Sequence, residues 1–238
     1  MVKVSGVPYD VDLPKQKVRI VSYTPQIEQT IAYLARVSNP ANQGNEEYEQ
    51  LIRYLIRHEH WSPFEMVSVT MEINCTRDIG RQILRHRSFT FQEFSQRYAE
   101  SQDWELSECR LQDTKNRQNS TDDLGDYVKL GLQEEIRKHF EYSLKLYNKM
   151  LGVGVAKECA RFVLPQATQT RLYMSGSLRS WMHYIDLRSA HGTQAEHMEV
   201  AEAIRCIFTC QFPTISSALG WSRENCPECE DSSSITLE

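Results

Sequence analysis

Hydrophobic and polar positions change period several times along the chain, and each change marks an element. Residues 17–22 alternate as a strand does, 26–37 and 46–58 carry apolar side chains at helical spacing, and 66–73 alternates again, with Val67, Val69, Met71 and Ile73 on one face. Thr76 stands where a hydroxyl can accept a first-turn amide and Asp78 suits the positive end of a helix, so a helix capped by Thr76 is expected to run to about Arg87. Positions 89–97 read as extended. The polar stretch 112–126 is expected to be an exposed, mobile loop that ends in a helix capped by Asp122 or Asp123. Beyond it, Leu132, Ile136, Phe140, Leu144 and Tyr147 predict one long amphipathic helix to about Met150, with packing as its role. Gly152 and Gly154 break that helix, Pro165 ends the short one after it, and 177–189 is helical again. Strands and helices mix without βαβ repeats. The expected fold is therefore a single α+β domain over 1–220, a small mixed or antiparallel sheet with flanking helices, followed at 221–238 by a polar tail expected to be disordered, its last thirteen or so residues acidic and serine-rich.

Composition narrows the classes. A chain of 238 residues with 40% hydrophobic content can bury a sizeable core, and a net charge of −5 weighs against a polyanion binder. No apolar run is long enough to span a bilayer and no basic-then-apolar leader is present, so a soluble, intracellular protein is expected. Seven cysteines without scaffold spacing read as reduced thiols. Cys206 and Cys210, one helical turn apart among Ile204, Ile207 and Phe208, read as core, and the Cys226 and Cys229 pair lacks the full ligand set of a structural zinc. His58 and His60 have metal-like spacing only on a strand, whereas they fall at a predicted helix end. No metal site is expected.

The stretch from Arg85 to Arg97 concentrates the chemistry. It holds Arg85, His86, Arg87, Glu93, Ser95 and Arg97 without a lysine or a glycine. Guanidinium groups grip phosphate oxygens in pairs and stack on rings, so this reads as a shaped anion site. On an extended chain Glu93, Ser95 and Arg97 would share one face at intervals of about 7 Å, a row suited to a nucleotide. Exposed charges neutralised by Glu93 and Glu100 would explain the same residues. Arginines interleaved with Phe89, Phe91, Phe94 and Tyr98 also fit a module for single-stranded RNA or nucleotides, which the acidic net charge counts against. In a helix over 177–189, Arg179, His183 and Asp186 lie on one face, and Arg188 points the other way with Trp181 and Tyr184. One helix presenting arginines in two directions is natural at an oligomer interface, so active sites shared between subunits are expected.

The same residues resemble a known family. Arg85-His86-Arg87, then seven residues, then Ser95 and Arg97 match the signature of the flavin-dependent thymidylate synthases, with Thr90 and Gln92 in place of that signature's Ser and Asn. The block from His58 to Glu65 is similar to the family's His-x-Ser/Thr-Pro-Phe-Glu, and the block from Ala160 to Pro165 to its Ala-Arg-x-x-Leu-Pro. Ser177 to Ser180 and Leu187-Arg188 follow in order, so the likeness covers about residues 18 to 212.

What the resemblance implies is specific. The expected reaction is reductive methylation of deoxyuridylate (dUMP) with FAD as cofactor and NADPH and methylenetetrahydrofolate as co-substrates, in a homotetramer; the acidic net charge and the lack of a spanning apolar run separately lead us to expect neither nucleic acid nor membrane as partner. The resemblance assigns Gln82, Arg85, Glu93, Ser95, Gln96, Arg97 and Arg161 to deoxyuridylate. His60, Ser62, Arg85, His86, Arg87, Glu93, Ser177, Arg179 and His183 fall to FAD, and Arg188 to catalysis at the uracil edge, where a fixed cation stabilises developing negative charge. The chain departs from the family at Ser177, where Asn is frequent, and at Gly192, where His is frequent and His191 is adjacent. No Gly-x-Gly-x-x-Gly fingerprint is present, so neither dinucleotide is expected on a Rossmann fold. None of the cysteines sits in an activating setting for nucleophilic catalysis.

Overall fold

A computed structural model describes residues 18–100, 103–106 and 108–221. In chain order the elements are β1 (Val18–Tyr23), α1 (Ile27–Ala35), α2 (Glu49–Arg57), α3 (Ser62–Glu65), β2 (Ser68–Thr76), α4 (Arg77–Ile83) and β3 (Thr90–Glu93). They continue with β4 (Leu111–Gln112), β5 (Ser120–Thr121), α5 (Asp126–Gly152), α6 (Lys157–Ala160), β6 (Gln169–Ser177), α7 (Leu178–Arg188), α8 (Ala195–Gln211) and α9 (Pro213–Ala218). Four strands form an antiparallel sheet in the order β1-β2-β6-β3, and β4 and β5 make a separate hairpin. The α+β class with a small antiparallel sheet and flanking helices is as the residue pattern implied. The expected tail, with Cys226 and Cys229, lies outside the described residues.

Strand β2 sits inside the sheet because its alternation supplies an apolar face. Val69, Met71 and Ile73 are fully buried, and the register sets Met71 opposite Met174 and Ile73 opposite Leu172. Against this face pack α7 and α8, contributing Trp181, Ile185, Val200, Ile204 and Phe208. The other face is polar: Glu72 takes Arg19 at 2.7 Å and Arg171 at 3.6 Å. The hydrogen bond from Arg19 is the main reason its carboxyl is held down at about 2. Helix α7 is anchored by the buried Trp181 indole, which donates to the Val69 carbonyl at 2.9 Å. Gly176 of β6 is required by a close approach: a Cβ there would stand 2.5 Å from the Phe89 ring, itself seated on Trp181.

Several local expectations are corrected. Thr76 stands at the N-cap of α4 but its hydroxyl makes no capping bond. The first-turn amides of Arg77 and Asp78 instead donate to the carbonyls of Thr168 and Gln166, so the hydroxyl is not needed. Helix α4 stops at Ile83 rather than Arg87, because Arg85 and His86 bond three residues back and the chain tightens into a turn. Strand β3 ends at Glu93. After Phe94 donates to the Arg171 carbonyl, the amides of Tyr98 and Ala99 fold back on the Ser95 carbonyl, so Glu93, Ser95 and Arg97 do not form a strand row.

The 112–126 region is not a plain loop. Between β4 and β5 the Asp113 carboxylate accepts from the amides of Lys115 and Asn116 and from Asn119, which orders the turn. The next helix begins after Gly125, and Asp122 pairs with Lys129 instead of capping. Helix α5 is long, as expected, but it buries only Phe140, Ser143 and Tyr147. Packing within this chain is therefore a small part of its role, while Tyr127, Leu130 and Tyr142 remain exposed. Cys75, Cys109 and Cys159 are free thiols, whereas Cys206 and Cys210, facing the same way one turn apart on α8, are disulfide-bonded and not reduced core cysteines.

Candidate active site

Side chains assigned from the sequence fall into neighbouring groups. The first lies where the turn after α4 meets the end of α7. Arg188 donates its Nε–H to His86 Nε2 at 2.9 Å, the His86 ring stands edge-on to Tyr184 at 4.9 Å, and Phe89 packs beneath both. The terminal nitrogens of Arg188 make no hydrogen bond or ion pair among the described residues. Burial, then the charge of Arg188, then His183 push the His86 imidazole down to about 4, so it is a neutral acceptor at physiological pH. Arg85 and Arg87 are exposed, and neither pairs with an acidic side chain among the described residues. They are cations available to a ligand.

Behind this pair stands His197 of α8, a residue the sequence reading missed. It is fully buried, its Nε2 lies 3.0 Å from the Tyr184 hydroxyl, and its Nδ1 lies 3.3 Å from Gln82 Oε1. Gln82 in turn donates to Gln194 at 2.7 Å. Burial first, then Arg188 and His86, push His197 down to about 3. A signal was available: His197 shares the core face of α8 with Val200, Ala201, Ile204 and Phe208 at helical spacing, as its one ionisable member.

The two imidazoles make a pH prediction. Their folded values of about 4 and about 3 lie below the value of roughly 6.5 in an unfolded chain. Acidification from about 6.5 therefore protonates the unfolded state and not the folded one. The stability that neutral His86 and His197 permit is full above about 6.5 and is lost as pH falls toward their folded values. Thermal midpoints measured between pH 7 and 4 are expected to drop steadily, and His197→Asn is expected to drop less steeply. Parallel curves for the two proteins would refute this.

A second group gathers where the turn after β3 meets α6. Arg97 pairs with the Glu158 carboxylate at 3.1 Å, and Arg161 donates to the Glu158 carbonyl at 3.2 Å, so Arg97 and Arg161 converge on one residue. Ser95 Oγ accepts from the Arg97 amide at 3.4 Å. Gln96 is buried beside them, its Nε2 without a partner. A buried amide nitrogen left unpaired is costly, and a bound acceptor would satisfy it. Glu93, at the end of β3, accepts from Thr170 at 2.9 Å and lies 3.5 Å from Arg77. Phe89 and Phe91 face the core, which removes them from the stacking row that an RNA module would need.

A third group occupies the opposite side of α7, as its period implied. Arg179, His183 and Asp186 line a cavity of about 310 Å³ with Trp61, Met182, Leu219 and Trp221. Ser62 opens α3 close by, and Glu65 of that helix lies 3.5 Å from Arg179. His60 stacks edge-on to Tyr54 at 5.8 Å. A flavin's diphosphate and ring need cations and flat apolar surface, and Arg179, His183 and Trp61 fit that need. Ser177 fits it less well: its hydroxyl already accepts from the Ser180 amide and donates to Glu65. No hydrogen bond or ion pair joins this group to Ser95 or Arg97 among the described residues.

A single α+β domain that sets arginines at both ends of α7 and beside α6, with a buried neutral histidine behind Arg188, presents cations suited to anionic ligands. The chain belongs to the thymidylate synthase complementing protein family, whose sequence profile matches residues 19–214. It is 50% identical over 196 residues to a probable flavin-dependent thymidylate synthase of Paramecium bursaria Chlorella virus 1, covering 82% of this chain and 91% of that protein. It is 53% identical over 194 residues to the flavin-dependent thymidylate synthase of a Synechocystis strain, covering 82% and 90%. Among solved structures it is similar to a UMP/dUMP methylase from Streptomyces cacaoi bound with 5-Br dUMP, with a TM-score of 0.76 at 26% identity over 87% of this chain and 96% of the other.

Proposed function

We propose that the protein replaces the C5 hydrogen of deoxyuridylate with a methyl group, taking the carbon from methylenetetrahydrofolate and two electrons from NADPH, and releasing thymidylate, tetrahydrofolate and NADP⁺. The observation that carries this reading is the Arg188–His86 pair. A neutral imidazole that accepts Arg188 Nε–H fixes the guanidinium plane while leaving its terminal N–H groups for a ligand oxygen. Placed at the uracil edge, that cation stabilises the negative charge that builds on the ring as C5 becomes nucleophilic. Arg85, Arg97 and Arg161 take the phosphate, Ser95 and Gln96 add hydroxyl and amide donors, and Gln82 and Glu93 complete the nucleotide site.

Hydride transfer is the chemistry FAD supplies when bound. His60, Ser62, Arg85, His86, Arg87, Glu93, Ser177, Arg179 and His183 would hold it. Arg179 and Arg188 leave α7 in opposite directions, so one helix serves two sites, and a homotetramer with shared active sites is the assembly this favours. No described helix is long and apolar enough to cross a membrane; we read the protein as cytoplasmic.

The test is spectroscopic. Freshly purified protein is expected to show oxidised-flavin absorption that bleaches on anaerobic addition of NADPH, and to form thymidylate when deoxyuridylate and methylenetetrahydrofolate are added. A colourless protein that takes up no added FAD would exclude the reading.

A further inference from the structure

A chain of hydrogen bonds runs from the surface into the centre, and its direction follows from one carboxylate. Glu196 is held ionised by Arg110 at 2.6 Å and can only accept. Gln194 Nε2 donates to it at 2.9 Å, which turns Gln194 Oε1 toward Gln82. Gln82 Nε2 donates to that oxygen at 2.7 Å, which turns Gln82 Oε1 toward His197. His197 must therefore carry its proton on Nδ1 and accept on Nε2, and the buried Tyr184 hydroxyl is the donor that Nε2 meets at 3.0 Å. Burial holds the Tyr184 phenol above its ordinary value, so that donor is always present.

We propose that His197 is a positioning residue that locks the Gln82 amide as a hydrogen-bond donor toward an oxygen of the bound nucleotide. The amide oxygen of Gln82 is consumed by His197 and one of its two N–H groups by Gln194, so a single N–H remains for the ligand. Gln194 alone holds the Gln82 amide at one N–H, about which the group can swing; the bond from His197 Nδ1–H to Oε1 is the second hold, and without it the remaining N–H loses its fixed direction toward the ligand oxygen. The inference rests on the nucleotide-binding role given to Gln82 above and adds what fixes that role.

A double-mutant cycle on the full-length, flavin-loaded protein tests it. His197→Phe keeps the ring and removes both nitrogens, and it is expected to weaken deoxyuridylate binding roughly tenfold, with KM rising and kcat at saturation changing far less. His197→Asn, whose amide restores a donor toward Gln82, is expected to recover most of that loss. In a Gln82→Ala background His197→Phe is expected to cost nothing further, because a positioning residue has nothing left to position. If His197→Phe fails to fold, Tyr184→Phe replaces it in the cycle, since it removes the hydroxyl that pairs with Nε2 and keeps the ring. An equal loss in both backgrounds, or wild-type affinity in His197→Phe, overturns the proposal. A wild-type protein that binds no deoxyuridylate overturns the functional reading itself, and this inference with it.

Discussion

Arg188→Ala is expected to lower thymidylate formation by about 30- to 1,000-fold, the roughly 2 to 4 kcal/mol typical of removing a group that meets developing charge. The fold should survive, because Arg188 ends α7, is only part-buried, and makes its hydrogen bond to His86 rather than to the core. Flavin content should be largely retained, because His86 is the one residue assigned to the cofactor that Arg188 hydrogen-bonds, and the cofactor residues on this helix leave from its opposite side. The variant has a second signature. Arg188 is the second cause, after burial, of the low value of both His86 and His197, so its removal is expected to raise both imidazole titrations toward the ordinary histidine range without restoring them fully. Histidine proton resonances followed through a pH titration would show this directly. Near-normal turnover in the variant would reject the role assigned to Arg188. Lost turnover with unmoved histidines would reject the geometry on which that role rests.

What could be read in advance followed the physics of period and charge. The split of α7 was legible because a helix turns its side chains by a fixed angle: Arg179, His183 and Asp186 line one cavity, while Trp181 and Tyr184 are buried on the side that leads to Arg188. The inner face of β2 was legible for the same reason. Failures arose where a long-range partner replaced a local one. Thr76 has the right residue type for a cap, but carbonyls from residues 166 and 168 reach its helix first. Alternation through 89–94 gave no hint that the ladder stops at Phe94 and that Ser95 to Ala99 fold back. His197 was invisible to motif reading because its importance comes from Tyr184 and Gln82, thirteen and more than a hundred positions away.

The scaffold behind both faces of α7 depends on one side chain. Trp181 is fully buried, meets Phe89 edge-on at 4.8 Å and Tyr184 at 5.8 Å, lies 6.1 Å from Phe208, and ties the helix to β2 through Val69. Trp181→Ala is expected to cost about 3 to 5 kcal/mol of stability, since it empties a large core volume and leaves the Val69 carbonyl without its indole donor. Trp181→Phe keeps most of the volume and is expected to cost closer to the roughly 0.5 to 1.5 kcal/mol of one lost hydrogen bond. Denaturant titration separates the two. The functional consequence follows from the helix: loosening α7 moves Arg179 and Arg188 together, so flavin retention and turnover are expected to decline in step in Trp181→Ala, unlike the selective loss in Arg188→Ala. A Trp181→Ala protein with near wild-type stability would show that the helix is held elsewhere. If that variant kept its flavin but lost turnover, the two faces of α7 would have to be positioned independently, and a single rigid helix could not explain how the sites are built.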